Sequence, residues 1–114
     1  LTPNIDAHVK EGIFLSNYHT FKICSPSRAS QMTGRYPFNL GWYDMASDET
    51  HCAAKSFTLL PQILRNNSYR THGTGKYDIG FAKRECTPTY GGGFESYFGY
   101  YMACEEDYFY HWCP

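Results

Sequence analysis

No stretch of this chain stays apolar for long enough to cross a bilayer as a helix, so neither a transmembrane segment nor a membrane partner is expected. A charge of one sign is lacking too. Ten Lys and Arg stand against eleven Asp and Glu, and the basic residues are scattered, which leaves no electrostatic footprint for nucleic acid or an anionic membrane. A polyanionic substrate would have to be held by a local site. No two of the five cysteines form a CxxC pair and the histidines lack zinc-ligand spacing, which argues against structural zinc. An initiator Met is missing, as is a basic segment followed by an apolar run, so no signal peptide is expected within these residues. There is no internal repeat and no low-complexity tract. With 114 residues the chain is expected to make one domain at most.

What is present is richer in cysteine and aromatic side chains. Five cysteines in so short a chain point to an oxidising compartment. Phe94, Tyr97, Phe98, Tyr100, Tyr101, Tyr108, Phe109, Tyr110 and Trp112 crowd the C-terminal end. They read as a hydrophobic layer with polar tips seeking hydrogen bonds rather than as a platform for stacking sugars.

Periodicity places a short helix from Ile5 to Glu11, stopped by Gly12, and a strand from Ile13 to Tyr18. Ser25 to Thr33 reads as a second helix, with Pro26 in its first turn and Gly34 after its end, so that Cys24 falls at a helix N-terminus. Pro37 to Lys55 shows no sustained period and is expected to be a loop, pinned near its end by Cys52. Phe57, Leu60, Ile63 and Leu64 share one helical face, and that helix gives out at Asn66-Asn67-Ser68. Tyr69 to Lys76 is the next expected strand. Beyond Gly80 the chain reads as irregular, with Gly91-Gly92-Gly93 as a hinge-like run. Helices and strands in alternation, with a reactive residue just after a strand, are the order of an α/β fold with crossover connections.

The segment Cys24-Ser25-Pro26-Ser27-Arg28, running on to Thr33-Gly34-Arg35, resembles the sequence in which sulfatases convert a cysteine into formylglycine. Thr2-Pro3-Asn4-Ile5-Asp6 before it, and Leu60-Pro61-Gln62, Gly75-Lys76 and Phe94-Glu95-Ser96-Tyr97-Phe98-Gly99-Tyr100 after it, look like further landmarks of that family in the right order. Lys83 to Thr89 and Glu106-Asp107-Tyr108 are similar to runs of the arylsulfatase B group. The resemblance implies the early part of an alkaline-phosphatase-like α/β sandwich around a mixed sheet. Residues 1–114 would be an N-terminal portion of a sulfatase catalytic domain, incomplete at both ends and inactive alone.

In that family Cys24 would be oxidised to an aldehyde by a formylglycine-generating enzyme, and the hydrated aldehyde would attack the sulfur of a sulfate ester. A gem-diol attacks through one hydroxyl and expels sulfate through the other, regenerating the aldehyde. Arg28 lies one helical turn further on and would stabilise the ionised hydroxyl. Lys76 matches the family lysine that contacts a sulfate oxygen. A helix N-terminus at Cys24 adds unpaired backbone NH groups and a positive dipole end.

The chain departs from the family pattern at Lys76-Tyr77-Asp78, where Lys-Trp-His is usual. An ionised carboxylate cannot donate a hydrogen bond and would repel an anionic sulfate. His72 is roughly 13 Å upstream by strand rise and makes a poor substitute. Family sulfatases also hold a calcium ion, for which Cys24 as formylglycine would be the one ligand in this chain.

With Cys24 set apart, Cys52, Cys86, Cys104 and Cys113 allow two bridges in three pairings. The resemblance implies a bridge between Cys52 and Cys86, and leaves the partners of Cys104 and Cys113 open. Asn66-Asn67-Ser68 is a glycosylation sequon with Asn66 as acceptor. A secretory route ending in the lysosome or outside the cell follows from the same resemblance. The competing expectation is a secreted, non-catalytic sulfatase-like module, favoured by Asp78. A phosphatase of the same superfold would use Ser or Thr as nucleophile and would not need the cysteine-proline-arginine pattern.

Overall fold

The computed structural model of the chain describes residues 2–43 and 51–101. Cys104, Cys113, Tyr108, Phe109, Tyr110 and Trp112 lie outside the described residues.

Five helices and a two-stranded sheet follow one another along the described chain, with helices α1 (Pro3–Glu11), α2 (Cys24–Thr33), α3 (Pro37–Leu40), α4 (Ala53–Ser56) and α5 (Leu60–Asn66) preceding strand β1 (His72–Lys76). A 3-10 turn at Arg84–Cys86 then leads to strand β2 (Ser96–Tyr100). This is an α/β arrangement. The strands pair in parallel, His72 opposite Ser96 through Lys76 opposite Tyr100. Parallel pairing requires a long crossover, and residues 77–95 supply it.

Helix α2 starts and stops as its sequence dictates. Pro26 sits in the first turn, where no intrahelical donor is needed. Gly34 closes the helix in a left-handed conformation (φ 67°), its N–H bonded to the Ser30 carbonyl. The helix faces a core of Ala29, Leu40, Trp42, Ala53, Leu59, Tyr77 and Ile79, against which Met32, Phe57, Phe94 and Tyr97 pack. Ser25 and Pro26 are buried as well, so the reactive end of α2 is anchored by its own first turn.

Several expectations are corrected. Residues Ile13 to Tyr18 form no strand; Ile13 is 90% exposed, because an apolar extended segment needs a neighbouring strand and none of the described residues offers one. The stretch Pro37 to Lys55 is not all loop: α3 opens on Pro37 at its first turn and ends on left-handed Gly41 (φ 71°), and α4 starts at Ala53. The buried face of α5 is displaced by one residue, since Leu59 at the N-cap is fully buried while Leu60 and Ile63 are about half exposed. The Gln62 side chain accepts the Leu59 N–H at 2.7 Å and donates to the Gly91 carbonyl at 2.6 Å, which locks that start in place. Strand β1 begins at His72 rather than Tyr69, and β2 forms where the sequence read as irregular.

The glycine run is not a hinge. Gly92 and Gly93 are buried, and a Cβ on Gly91 would stand 1.8 Å from the Glu85 carbonyl oxygen. These residues are glycine because neighbouring backbone passes too close for a side chain. Cys52 and Cys86 are joined in a disulfide, Cα to Cα 5.1 Å, that ties α4 to the 3-10 turn. Of the C-terminal aromatics within the described residues, Phe94 and Tyr97 pack on the core, whereas Phe98 is 84% exposed.

Candidate functional site

Helix α2 and the end of β1 meet where their polar side chains converge. Cys24, the first residue of α2, carries a free, exposed thiol. Four residues later Arg28, half-buried, donates from Nη1 to the backbone carbonyl of Lys76. That bond fastens α2 across to the last residue of β1 and fixes where the Lys76 side chain starts. The Lys76 ammonium forms an ion pair with Asp78, Nζ to Oδ2 3.2 Å, and lies near enough to the Cys24 side chain for that group to raise its pKa. Cys24, Arg28, Lys76 and Asp78 are thus brought together from two elements separated by about fifty residues of chain.

The electrostatics of this cluster favour a charged lysine. Burial of the ammonium works to lower its pKa, but the neighbouring Asp78, and then Cys24, outweigh it and hold the pKa above the usual 10.5. The Lys76 side chain is 13% exposed and that of Asp78 only 4%. The Asp78 Oδ2 atom is buried and accepts no hydrogen bond, so the charge of Lys76 nearby is what compensates its own. Between them, Tyr77 points the other way into the core, 1% exposed, and its phenol is pushed well above its ordinary pKa by burial and by the neighbouring Tyr97 and Tyr101.

Backbone geometry explains why Lys76 and Asp78 can meet. Tyr77 donates its N–H to the Tyr100 carbonyl (2.8 Å) and Asp78 to that of Tyr101 (3.0 Å), which continues the pairing beyond β1. Asp78 then turns with φ 53°, a left-handed conformation that Asp tolerates better than most residues. His72 is not part of the cluster. It is exposed at the other end of β1, with Nδ1 2.7 Å from Ser96 Oγ.

The sequence reading named Cys24, Arg28 and Lys76 as candidates and took Asp78 as a repelling charge. Its pairing with Lys76 leaves one trace in the sequence, the i, i+2 spacing that puts two residues of an extended segment on one side. Among the described residues no group of three His, Cys, Asp or Glu side chains could hold a metal ion. Calcium takes six to eight oxygen ligands, so the described residues do not make a calcium site by themselves. No helix of the described residues is long and apolar enough to cross a membrane. Asn66 is exposed at the end of α5, and the Asn67 side chain donates to the Ile63 carbonyl.

Comparison with known proteins matches the chain to a family. A family model described as Sulfatase matches residues 1–114. Arylsulfatase J of Mus musculus is 33% identical over 114 residues, covering 98% of this chain and 19% of that protein. N-acetylgalactosamine-6-sulfatase of Homo sapiens is 32% identical over 89 residues, covering 69% of this chain and 17% of that protein. Among solved structures, the crystal structure of Ps i-CgsB superposes with a TM-score of 0.67 at 29% identity, over 86% of this chain and 22% of that one. The chain therefore spans less than a fifth of the length of these two curated relatives.

Proposed function

The chain belongs to the sulfatase family, and from that premise we propose that it forms an N-terminal portion of the catalytic domain of a sulfuric ester hydrolase, acting on sulfate esters of aryl compounds or sulfated sugars. The observation that supports this reading is the meeting of the α2 N-terminus with the end of β1, where Lys76 lies beside Cys24 and Arg28 binds the Lys76 carbonyl. The thiol of Cys24 stands where the hydroxyls of a hydrated formylglycine would be. Oxidation of that thiol to the aldehyde requires a formylglycine-generating enzyme, the first partner of the proposal.

Each side chain then has a task that its geometry supports. A hydroxyl of the hydrated aldehyde at position 24 attacks sulfur, and the alcohol leaves with a proton. Arg28 holds the end of β1 against α2 and lends its charge to the same corner. Lys76, kept protonated, faces residue 24 and can meet the sulfate oxygens as negative charge shifts during S–O cleavage. The second hydroxyl expels sulfate and regenerates the aldehyde. Calcium, if it belongs to the complete enzyme, must be held mostly by residues outside this segment. The same reading places the protein on the secretory route to the lysosome or the cell exterior, with Asn66 as a glycan acceptor.

The test is sulfate release by the full-length protein, produced together with the modifying enzyme, from an aryl sulfate and from a sulfated monosaccharide. Turnover is expected from at least one of them, and Cys24→Ala should abolish it. A Cys24→Ala protein as active as the parent would overturn the assignment. A correctly modified parent with no turnover would favour the non-catalytic module.

A further inference from the structure

We propose that Asp78 is a positioning residue, whose carboxylate holds the Lys76 ammonium against residue 24; this rests on the hydrolase reading for its consequences but not for its geometry. Asp78 occupies the place where an ionised side chain would be expected to obstruct an anionic substrate. The structure gives the carboxylate a different use. Its Oδ2 lies 3.2 Å from Lys76 Nζ, with both side chains largely removed from water. A lysine at the end of a strand has a flexible four-carbon stem and three donors, and nothing in the stem itself selects a direction. The Asp78 charge, 3.2 Å from Nζ, draws the ammonium to the side of the strand end where Cys24 lies and leaves its donors for a sulfate oxygen.

The surroundings of Asp78 are built for this. Its N–H is held by the Tyr101 carbonyl, and its left-handed φ turns the chain after β1. The root of Lys76 is held by Arg28 through the Lys76 carbonyl. Both ends of the ion pair are therefore tied to backbone that is itself pinned. Lys76 and Asp78 together carry no net charge, so the pair presents an oriented ammonium to the substrate without the repulsion of a bare carboxylate.

Asp78→Asn tests the idea with little risk to the fold, because Asn has the same shape and accepts a left-handed φ. In the full-length, formylglycine-bearing protein this variant is expected to lose turnover by roughly 10- to 100-fold, the range for a misplaced catalytic group. Its KM for an aryl sulfate should be unchanged or lower, since a negative charge has left the site. Asp78→Gly should lose turnover similarly and regain part of it with added formate. In a Lys76→Ala background Asp78→Asn should make no further difference. Asp78→Asn turnover equal to or above the parent's, or an equal loss with and without Lys76, would overturn the proposal.

Crystal structures of the parent and Asp78→Asn read the geometry without any assay. Lys76 Nζ should reach residue 24 in the parent and withdraw in the variant; an ammonium that stays in place overturns the proposal whatever the activity. If the parent hydrolyses no sulfate ester yet Lys76 withdraws in the variant, the hydrolase reading fails and the positioning role stands.

Discussion

Breaking the Lys76–Asp78 pair from each side in turn should give very unequal losses of stability. Lys76→Met keeps most of the side-chain volume but strands a carboxylate that is only 4% exposed. Removing one partner of a buried ion pair costs about 3 to 5 kcal/mol, and the partial exposure of Lys76 places this case near the lower end. Asp78→Asn instead leaves an ammonium at 13% exposure, with residue 24 still beside it, for a loss of about 1 to 2 kcal/mol. The double variant Lys76→Met/Asp78→Asn strands no charge and should lose about 1 kcal/mol. The coupling between the two positions is therefore about 3 kcal/mol or more.

Denaturant unfolding of the full-length protein, followed by the fluorescence of buried Trp42, measures all four stabilities. The pH dependence adds a sign. Because the folded state holds the Lys76 pKa above 10.5, its contribution is fully present below that pH and is lost as pH rises through the higher folded-state value. The gap between parent and Lys76→Met should therefore be flat near neutrality and narrow only in alkali. Single losses that simply add in the double variant, with coupling below about 0.5 kcal/mol, would refute the ion pair.

Removing the Cys52–Cys86 bridge with paired serines should destabilise by about 4 kcal/mol from loop closure alone, for a sequence separation of 34, and more because position 86 is buried; the unfolding midpoint of the double variant reads this. Gly91→Ala should cost about 2 kcal/mol or more, since its Cβ meets the Glu85 carbonyl at 1.8 Å, and a melting temperature equal to the parent's would show that this contact yields. Secreted protein should lose one glycan-sized mobility step in Asn66→Gln, and identical mobility of parent and variant would remove Asn66 as an acceptor.

Local signals in the sequence were reliable where local chemistry decides the conformation. Pro26 and Gly34 bracket α2 because one lacks a donor and the other accepts a left-handed φ, and both effects act within a few residues. The end of β1 at Lys76 was legible. Features that depend on distant partners were not legible. Ile13 to Tyr18 alternates like a strand but has no described neighbour to pair with. Leu59 rather than Leu60 is buried because Gln62 and Gly91 set where α5 begins. Gly91 to Gly93 looked like a hinge because close backbone approach leaves no trace except the glycines themselves. Asp78 was misjudged as an isolated charge, since only the fold shows that a lysine two residues earlier turns to meet it.

The central claim, that Cys24 becomes the nucleophile of a sulfate-ester hydrolase, is tested most directly by mass spectrometry of the tryptic peptide Ile23 to Arg28 from protein made in cells with a working formylglycine-generating enzyme. The account predicts the aldehyde at position 24. An intact thiol throughout that material would contradict it.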